Sequence, residues 1–192
     1  MHNQLFVRSR DSKQRDKRCR VCRASPEKIP HLAKCSKTRK PRYLIHELWD
    51  LMGLPVSETA GSEKIWLLGL TNENKPLGEC QRALLALYWR VNYKHLTLQD
   101  MKKTKYHATT VCKDLGRVFM SRILAYQSER RRHFLAKKHA GTRNGRPLSD
   151  LHPSEAMRIA PIGELDIETG KLKIRKEIKQ ILKDLGVWRK FR

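Results

Sequence analysis

Three cysteines and one histidine lie close together near the start of the chain, in CRVCRASPEKIPHLAKC, residues 19–35. Two residues separate Cys19 from Cys22, eight separate Cys22 from His31, and three separate His31 from Cys35. A two-residue gap lets a tight turn direct both thiols to one point, and a three-residue gap places the later pair on one side of a helical turn. This spacing predicts a tetrahedral site with four protein ligands, which is typical of structural zinc.

Pro30 directly before the histidine favours a short helix that carries both later ligands. Zinc contributes on the order of 10 kcal/mol of folding free energy in isolated small domains, so we expect residues 15–40 to be disordered without metal. The alternative is a chance scatter of Cys and His in a structural protein. The chain has five cysteines, an odd number with no signal peptide ahead of them, which favours a reducing compartment over a disulfide framework.

The segment CRVCRASPEKIPHLAKCSKTRK resembles the C-terminal Cys-Cys-His-Cys segment of non-LTR retrotransposon reverse transcriptases. In that family a CxxC-type pair is followed by a short acidic or polar loop, a His-Leu and a final Cys. The resemblance covers residues 19–52 and implies a nucleic-acid-binding zinc module with Cys19, Cys22, His31 and Cys35 as ligands. The paired-aspartate Tyr-x-Asp-Asp motif of the polymerase does not occur in this chain, so the resemblance implies no polymerase activity here.

The charge balance favours a polyanionic partner. Lys and Arg number 42 against 19 acidic residues, a formal charge of +23 with a sequence pI near 10.3. Residues 1–42 alone hold 14 of these cations and three acids. A field this positive accelerates encounter with phosphates and makes binding salt-dependent, so we expect RNA, and rRNA in particular. Anionic lipid is the competing partner, but no run of eighteen apolar residues exists, and we expect no membrane association.

The predicted RNA contacts are clustered cations together with the C-terminal segment GVWRKFR. Aromatic residues there alternate with cations, a composition suited to stacking on bases and equally suited to covering a protein core. The full set is Arg15, Lys17, Arg18, Arg20, Arg23, Lys37, Arg39, Lys40, Arg42, Arg130, Arg131, Arg132, Lys137, Lys138, Arg143, Arg146, Trp188, Arg189, Lys190 and Arg192.

The hydrophobic pattern predicts a mainly α fold: a small zinc knot followed by a helical core, with a C-terminal β-hairpin and helix and long basic extensions. The predicted organisation has four parts. They are a basic arm with the zinc knot (1–42), a helical core (43–140), an extended linker (141–162), and the hairpin plus an amphipathic helix (163–192).

Within the core, RYLIHELWDLMG predicts a helix that stops at Gly53. The run at residues 65–70 is too short to assign to strand or helix. A helix follows in ECQRALLALYWRVNYKHL, and Thr97 with Asp100 predicts a capping box that starts another. Residues 107–139 predict a further helix, whose first half packs and whose second half reaches outward.

No arrangement of residues indicates catalysis. The histidines outside the zinc knot have no Cys or acidic partner at a spacing that activates a nucleophile, and no Gly-rich phosphate loop is present, so we expect neither an enzyme nor a small-molecule substrate. The sequence favours a structural RNA-binding protein of a ribosome, surrounded by ribosomal proteins, in which the knot positions basic arms.

Two other functions stay open. One is a mobile-element-derived, zinc-dependent regulator that binds DNA or RNA; the other is an adaptor whose charge pairs with acidic subunits of a protein complex. An Arg-rich start favours mitochondrial import, although Asp11 and Asp16 weaken that signal, and a cytoplasmic or nuclear location is the alternative.

Overall fold

The computed structural model describes residues 18–51, 53, 63–71, 73–102, 105–125, 162–166 and 171–188. Within these ranges the fold is mainly helical, as predicted, and no helix there is both long and apolar enough to cross a bilayer. The elements are α1 (Ile29–Lys34), a 3-10 turn (Ser36–Thr38), α2 (Arg39–Leu51), α3 (Glu63–Leu68), α4 (Glu79–Lys102), α5 (residues 108–125), β1 (Gly163–Leu165), β2 (Leu172–Ile174) and α6 (Lys176–Asp184).

The chain divides into two compact units. The first consists of Met1–Asp50 and Leu54–Leu115, and the second of Leu51–Gly53 and Gly116–Arg192. The cysteine-rich segment and helices α1, α3 and α4 therefore belong to the first unit. The predicted boundary at residue 140 and most of the predicted linker lie outside the described residues.

Helix α2 confirms the prediction for RYLIHELWDLMG. It begins at Arg39, two residues before Pro41, because a proline is tolerated in the first helical turn. It ends at Leu51, and Gly53 follows with φ of +81°, a backbone conformation that glycine adopts without strain. Its apolar stripe is buried and consists of Leu44, Ile45, Leu48 and Trp49.

The run at residues 65–70, which the pattern leaves open between strand and helix, begins as the last turn of α3. The helix ends before Gly69, which has φ of +67°, and Leu70 then pairs with Pro76 in an isolated antiparallel bridge. Burial of Ile65 and Trp66 on one side of this short helix explains why it forms despite its length.

Helix α4 is continuous through Thr97, so the predicted restart at the capping box is wrong. No Gly or Pro interrupts residues 79–102, and Leu96 is fully buried just before the supposed cap, which favours an unbroken helix. The break comes at residues 105–107 instead, where the Tyr106 hydroxyl donates to Asn92 Oδ1 over 2.7 Å.

Helix α5 follows that break and packs by its first half. Val111, Leu115 and Phe119 are buried, as its apolar pattern predicts. His95 of α4 lies 3.0 Å from Asp114 of α5, a pair that ties the two helices together. The predicted continuation from residue 126 to residue 139 lies outside the described residues.

An aromatic core joins α2, α3 and α4. The ring centroids of Trp49 and Trp66 are 5.2 Å apart, those of Trp66 and Tyr88 are 4.8 Å apart, and Trp89 follows at 5.2 Å from Tyr88. Both outer indoles donate to backbone carbonyls: Trp89 to Trp66 over 2.8 Å, and Trp49 to Gln81 over 3.2 Å. Because their polar atoms are satisfied, these rings contribute their full apolar burial to stability.

In the second unit, β1 and β2 pair antiparallel with Leu165 opposite Leu172. Gly163 lies opposite Ile174, and any side chain there would meet the carbonyl oxygen of Lys173, so the close approach of the strands requires glycine. Residues 167–170 lie outside the described residues, and the predicted turn at Thr169 and Gly170 stays a prediction.

Helix α6 follows β2 and buries Ile178 and Leu182, in agreement with its amphipathic pattern. The helix ends at Asp184. Gly186 follows its C-terminal cap with φ of +67°, and the N–H of Val187 donates back to the Leu182 carbonyl over 2.9 Å.

Candidate metal centre

The four predicted ligands converge. The three cysteine sulfurs and a ring nitrogen of His31 all lie within 4.8 Å of one another. Cys22 Sγ is 3.2 Å from His31 Nε2. Tetrahedral zinc, with bonds of about 2.3 Å to sulfur and about 2.0 Å to nitrogen, spaces its ligand atoms by about 3.5–3.8 Å. Small side-chain shifts therefore fit this set, which we call the Cys3His group, around a metal ion.

A tight turn presents the first two cysteines. The N–H of Arg23 donates to the Cys19 carbonyl over 2.8 Å, and the N–H of Cys19 donates to the Ser25 carbonyl over 2.7 Å. Arg23 has φ of +62°, which reverses the chain, and an antiparallel bridge between Arg18 and Pro26 closes the loop. The two-residue gap thus has the turn geometry that the spacing predicts.

Helix α1 presents the other two ligands. Pro30 lies in its first turn, and His31 follows it, as predicted. The helix is only six residues long, and Cys35 is its C-terminal cap, one residue beyond its end. A helix this short is unstable alone, so it depends on the contacts of the Cys3His group and of the helical body.

Burial is uneven around the Cys3His group. Cys19 and Cys35 are fully buried against Leu32 of α1 and Leu96 of α4, while Cys22 and His31 are half-buried. Trp89, Tyr106 and Val21 are partly buried and pack against the same cluster. The ligands are therefore fixed on one side by α4 and stay near the surface on the other.

A hydrogen bond joins the side chains of Cys19 and Cys35. The hydrogen bond to Cys35, together with burial, raises the pKa of Cys19 to about 12. The same bond lowers the pKa of Cys35, and the backbone N–H of Lys37 lowers it further. A divalent cation at this point would replace the proton of this hydrogen bond and hold both sulfurs as thiolates. Backbone N–H groups pointing at the sulfurs stabilise that ionised form.

A buried ion pair clamps the turn. Arg20 is 8% exposed, and its Nε donates to Glu27 Oε1 over 2.8 Å, while its backbone N–H donates to Glu27 Oε2 over 2.9 Å. Its Nη1 donates to the Leu96 carbonyl over 3.3 Å, and Gln99 Nε2 donates to the Arg20 carbonyl over 2.6 Å. This pair holds the loop against both the start of α1 and the end of α4.

Arg20 is therefore engaged inside the fold and is not exposed for the RNA contact that its sequence position predicts. The sequence contains a signal for this role, because Glu27 is the single acidic residue between Cys19 and Cys35. A lone acid in so basic a segment favours a specific internal partner.

Arg42 also has an internal role. Its Nη1 donates to the Cys35 carbonyl over 3.0 Å and to Thr38 Oγ1 over 2.7 Å, and the Thr38 hydroxyl donates to the Cys35 carbonyl over 3.0 Å. These bonds fasten the first turns of α2 to the last ligand, so the position of Cys35 is coupled to α2.

The other predicted RNA contacts fall into three sets. Exposed in the segment that carries the Cys3His group and at the start of α2 are Arg18, Arg23, Lys37, Arg39 and Lys40. Trp188, in the second unit, is half-buried with Lys179 Nζ 5.3 Å from its ring centroid. Outside the described residues lie Arg15, Lys17, Arg130, Arg131, Arg132, Lys137, Lys138, Arg143, Arg146, Arg189, Lys190 and Arg192.

Two exposed cations that are not among the predicted contacts lie close in the chain to a contact between α2 and α5. Lys40 Nζ is 3.5 Å from Thr109 Oγ1, which brings the start of α5 next to the start of α2. Exposed Lys105 and Lys113 flank Thr109 in the chain. Lys105 belongs to the short run KKTK, residues 102–105, which is not among the predicted contacts, whereas Lys113 belongs to no such run, so only the packing of α5 could reveal it.

No protein family model, curated protein or solved structure matches this chain. The resemblance to retrotransposon reverse transcriptases therefore stays a prediction. What the structure supports is a cluster of Cys19, Cys22, His31 and Cys35 able to bind a metal, as a zinc knuckle does.

Replacing Cys22 with Ser should abolish stoichiometric zinc binding, because three ligands and a hydroxyl hold the ion far more weakly than four. Zinc content after dialysis is the first measurement. Tryptophan fluorescence is the second, since Trp89 packs against the cluster. Cys80→Ser is the matched control, because Cys80 lies outside the Cys3His group. Equal zinc content in the two variants would contradict the assignment.

Replacing Glu27 with Gln should lower the free energy of unfolding by about 3 kcal/mol, because the buried Arg20 guanidinium loses its counter-charge. Denaturant unfolding of the zinc-loaded protein measures this change. Glu47→Gln removes an exposed acid on α2 and should change stability by less than about 0.5 kcal/mol. Equal effects of the two substitutions would show that the pair does not clamp the turn.

Proposed function

We propose that the Cys3His group holds a structural zinc ion and that the chain is a non-enzymatic, RNA-binding protein of a ribonucleoprotein. The observation that carries the proposal is the convergence of four soft and borderline ligands within a segment whose exposed charged side chains are all cationic. The zinc would set the geometry of that segment, and the cations would supply affinity for phosphate.

The donor set supports zinc in a structural role. Three thiolates and one imidazole suit zinc better than magnesium or calcium, which prefer oxygen ligands. Four protein ligands fill a tetrahedral shell and leave no position for substrate, whereas catalytic zinc keeps one position open. None of the five cysteines, all of which lie in the described residues, forms a disulfide, which agrees with a metal site in a reducing compartment.

The charge around the group supports a polyanionic partner. Between residues 18 and 42 the sequence has one acid, Glu27, and it is buried with Arg20. The exposed charges of this segment are therefore all positive, and its own acids cannot neutralise them. The exposed set is Arg18, Arg23, Lys28, Lys34, Lys37, Arg39 and Lys40. Neutralising several phosphates would release counterions and provide salt-dependent affinity.

Phosphate contacts of this kind position a protein without reading sequence, which suits a structural component better than a regulator. The particle that we propose is a ribosome, a mitochondrial one in the first instance, with rRNA and neighbouring ribosomal proteins as partners. A sequence-reading regulator would instead separate its target from other sequences by roughly 4–10 kcal/mol.

Replacing Lys37 and Lys40 with Ala should weaken RNA binding and reduce the slope of log K against log salt by about one to two, because each lost phosphate contact removes up to about one unit. Binding to a fluorescent RNA between 50 and 300 mM salt measures both changes. Lys173→Ala with Lys176→Ala is the matched control: it removes the same charge from exposed positions in the second unit. Equal losses in both variants would show that overall charge, not this surface, drives binding.

Sedimentation of a gentle native extract tests the proposed particle. The chain should move with a ribosomal subunit and shift to the top of the gradient after RNase treatment. Slow sedimentation in both conditions would overturn the ribosomal proposal, and fast sedimentation that resists RNase would favour the protein adaptor.

A further inference from the structure

An exposed aromatic side chain lies on α2, close in the chain to the exposed cations Lys37, Arg39 and Lys40. Tyr43, on α2, is 55% exposed, while the apolar neighbours Leu44 and Ile45 are buried. Most of the Tyr43 side chain is therefore not buried in the core of the first unit. Among the described residues the other exposed large hydrophobics are Leu68 and Tyr93, on α3 and α4.

The ring of Tyr43 is held in place although it is exposed. Arg39, one helical turn earlier, donates from Nη2 to the Tyr43 hydroxyl over 2.7 Å, and its Cζ lies 5.0 Å from the ring centroid. The ring of His46 lies on α2 at 6.4 Å between centroids. A ring fixed by a hydrogen bond and a cation–π contact loses less conformational entropy when a ligand stacks on it.

Charge is distributed unevenly around the ring. Lys37, Arg39 and Lys40 lie on its N-terminal side, and Lys40 reaches Thr109 at the start of α5. Exposed Glu47 lies one turn after Tyr43, on its C-terminal side. A phosphate is therefore favoured on the Arg39 side of the ring and repelled on the Glu47 side. This difference would orient a bound nucleotide along α2.

An aromatic face next to Arg and Lys binds a nucleobase and its phosphate together. Bases in a duplex are already stacked on their neighbours and cannot offer a face, whereas an unpaired base can. An acidic protein would satisfy the cations but would gain nothing from stacking on the ring.

We propose that Tyr43 and Arg39 form a stacking platform for an unpaired base, so that the surface prefers single-stranded RNA to duplex. This inference rests on the proposed RNA-binding function and assigns its specificity to α2. The exposed lysines beside the platform hold the flanking phosphates.

The test compares zinc-loaded full-length protein, wild type and Tyr43→Ala, on a 12-nucleotide single-stranded RNA with one 2-aminopurine and on a duplex of equal length. Tyr43→Ala should weaken single-strand binding about 5- to 100-fold, the range expected for one lost stacking contact, and change duplex binding less than twofold. Wild type should quench 2-aminopurine fluorescence, and the variant should not. Tyr93→Ala, the matched exposed tyrosine, should leave both affinities within twofold.

Equal single-strand affinity and equal quenching for wild type and Tyr43→Ala would overturn the platform while RNA binding stands. Equal losses on single strand and duplex would overturn it too. Failure of wild type to bind either RNA would overturn the proposed function, and the platform with it. Binding to poly-glutamate as tight as to RNA, with the same loss in the variant, would overturn it in favour of an acidic protein partner. Zinc content and circular dichroism verify that each variant is folded.

Discussion

The four ligand atoms of the Cys3His group lie within 4.8 Å of one another, and their convergence determines the course of the chain from Cys19 to Cys35. The turn that begins there and the six-residue helix α1 are both too short to be stable alone. Their other support is the buried pair of Arg20 and Glu27, and that pair in turn needs the carbonyl of Leu96 on α4. The Cys3His group, the ion pair and helix α4 therefore depend on one another for their positions, and we expect the loss of one to weaken the others.

The buried ion pair also explains why the exposed charges of residues 18–42 are all positive. Glu27 forms a buried ion pair with Arg20, so the one acid of this segment is not at the surface to neutralise the neighbouring lysines. Arg42 is likewise turned inward and fixes the start of α2 to Cys35. The exposed cations of this segment are thus attached to a hydrogen-bonded frame, which supports the proposed binding of a polyanion with definite geometry.

Sequence reasoning was most successful where a short-range pattern has a strong physical cause. The ligand set follows from spacing alone, and the end of α2 follows from Gly53. It failed at Thr97, where a local capping signal was weaker than the continuity of a long helix with Leu96 buried in the core. It assigned Arg20 to the surface because a charge run does not reveal which member has a buried partner. Tyr43 was missed for a related reason: within an amphipathic helix, only packing tells which aromatic ring is left outside.

X-ray absorption at the zinc edge of the purified full-length protein tests the central claim most directly. The account predicts one zinc per chain, with three sulfur neighbours at about 2.3 Å and one nitrogen at about 2.0 Å. A protein that folds without stoichiometric metal, or a zinc ion surrounded mainly by oxygen and nitrogen, would contradict it.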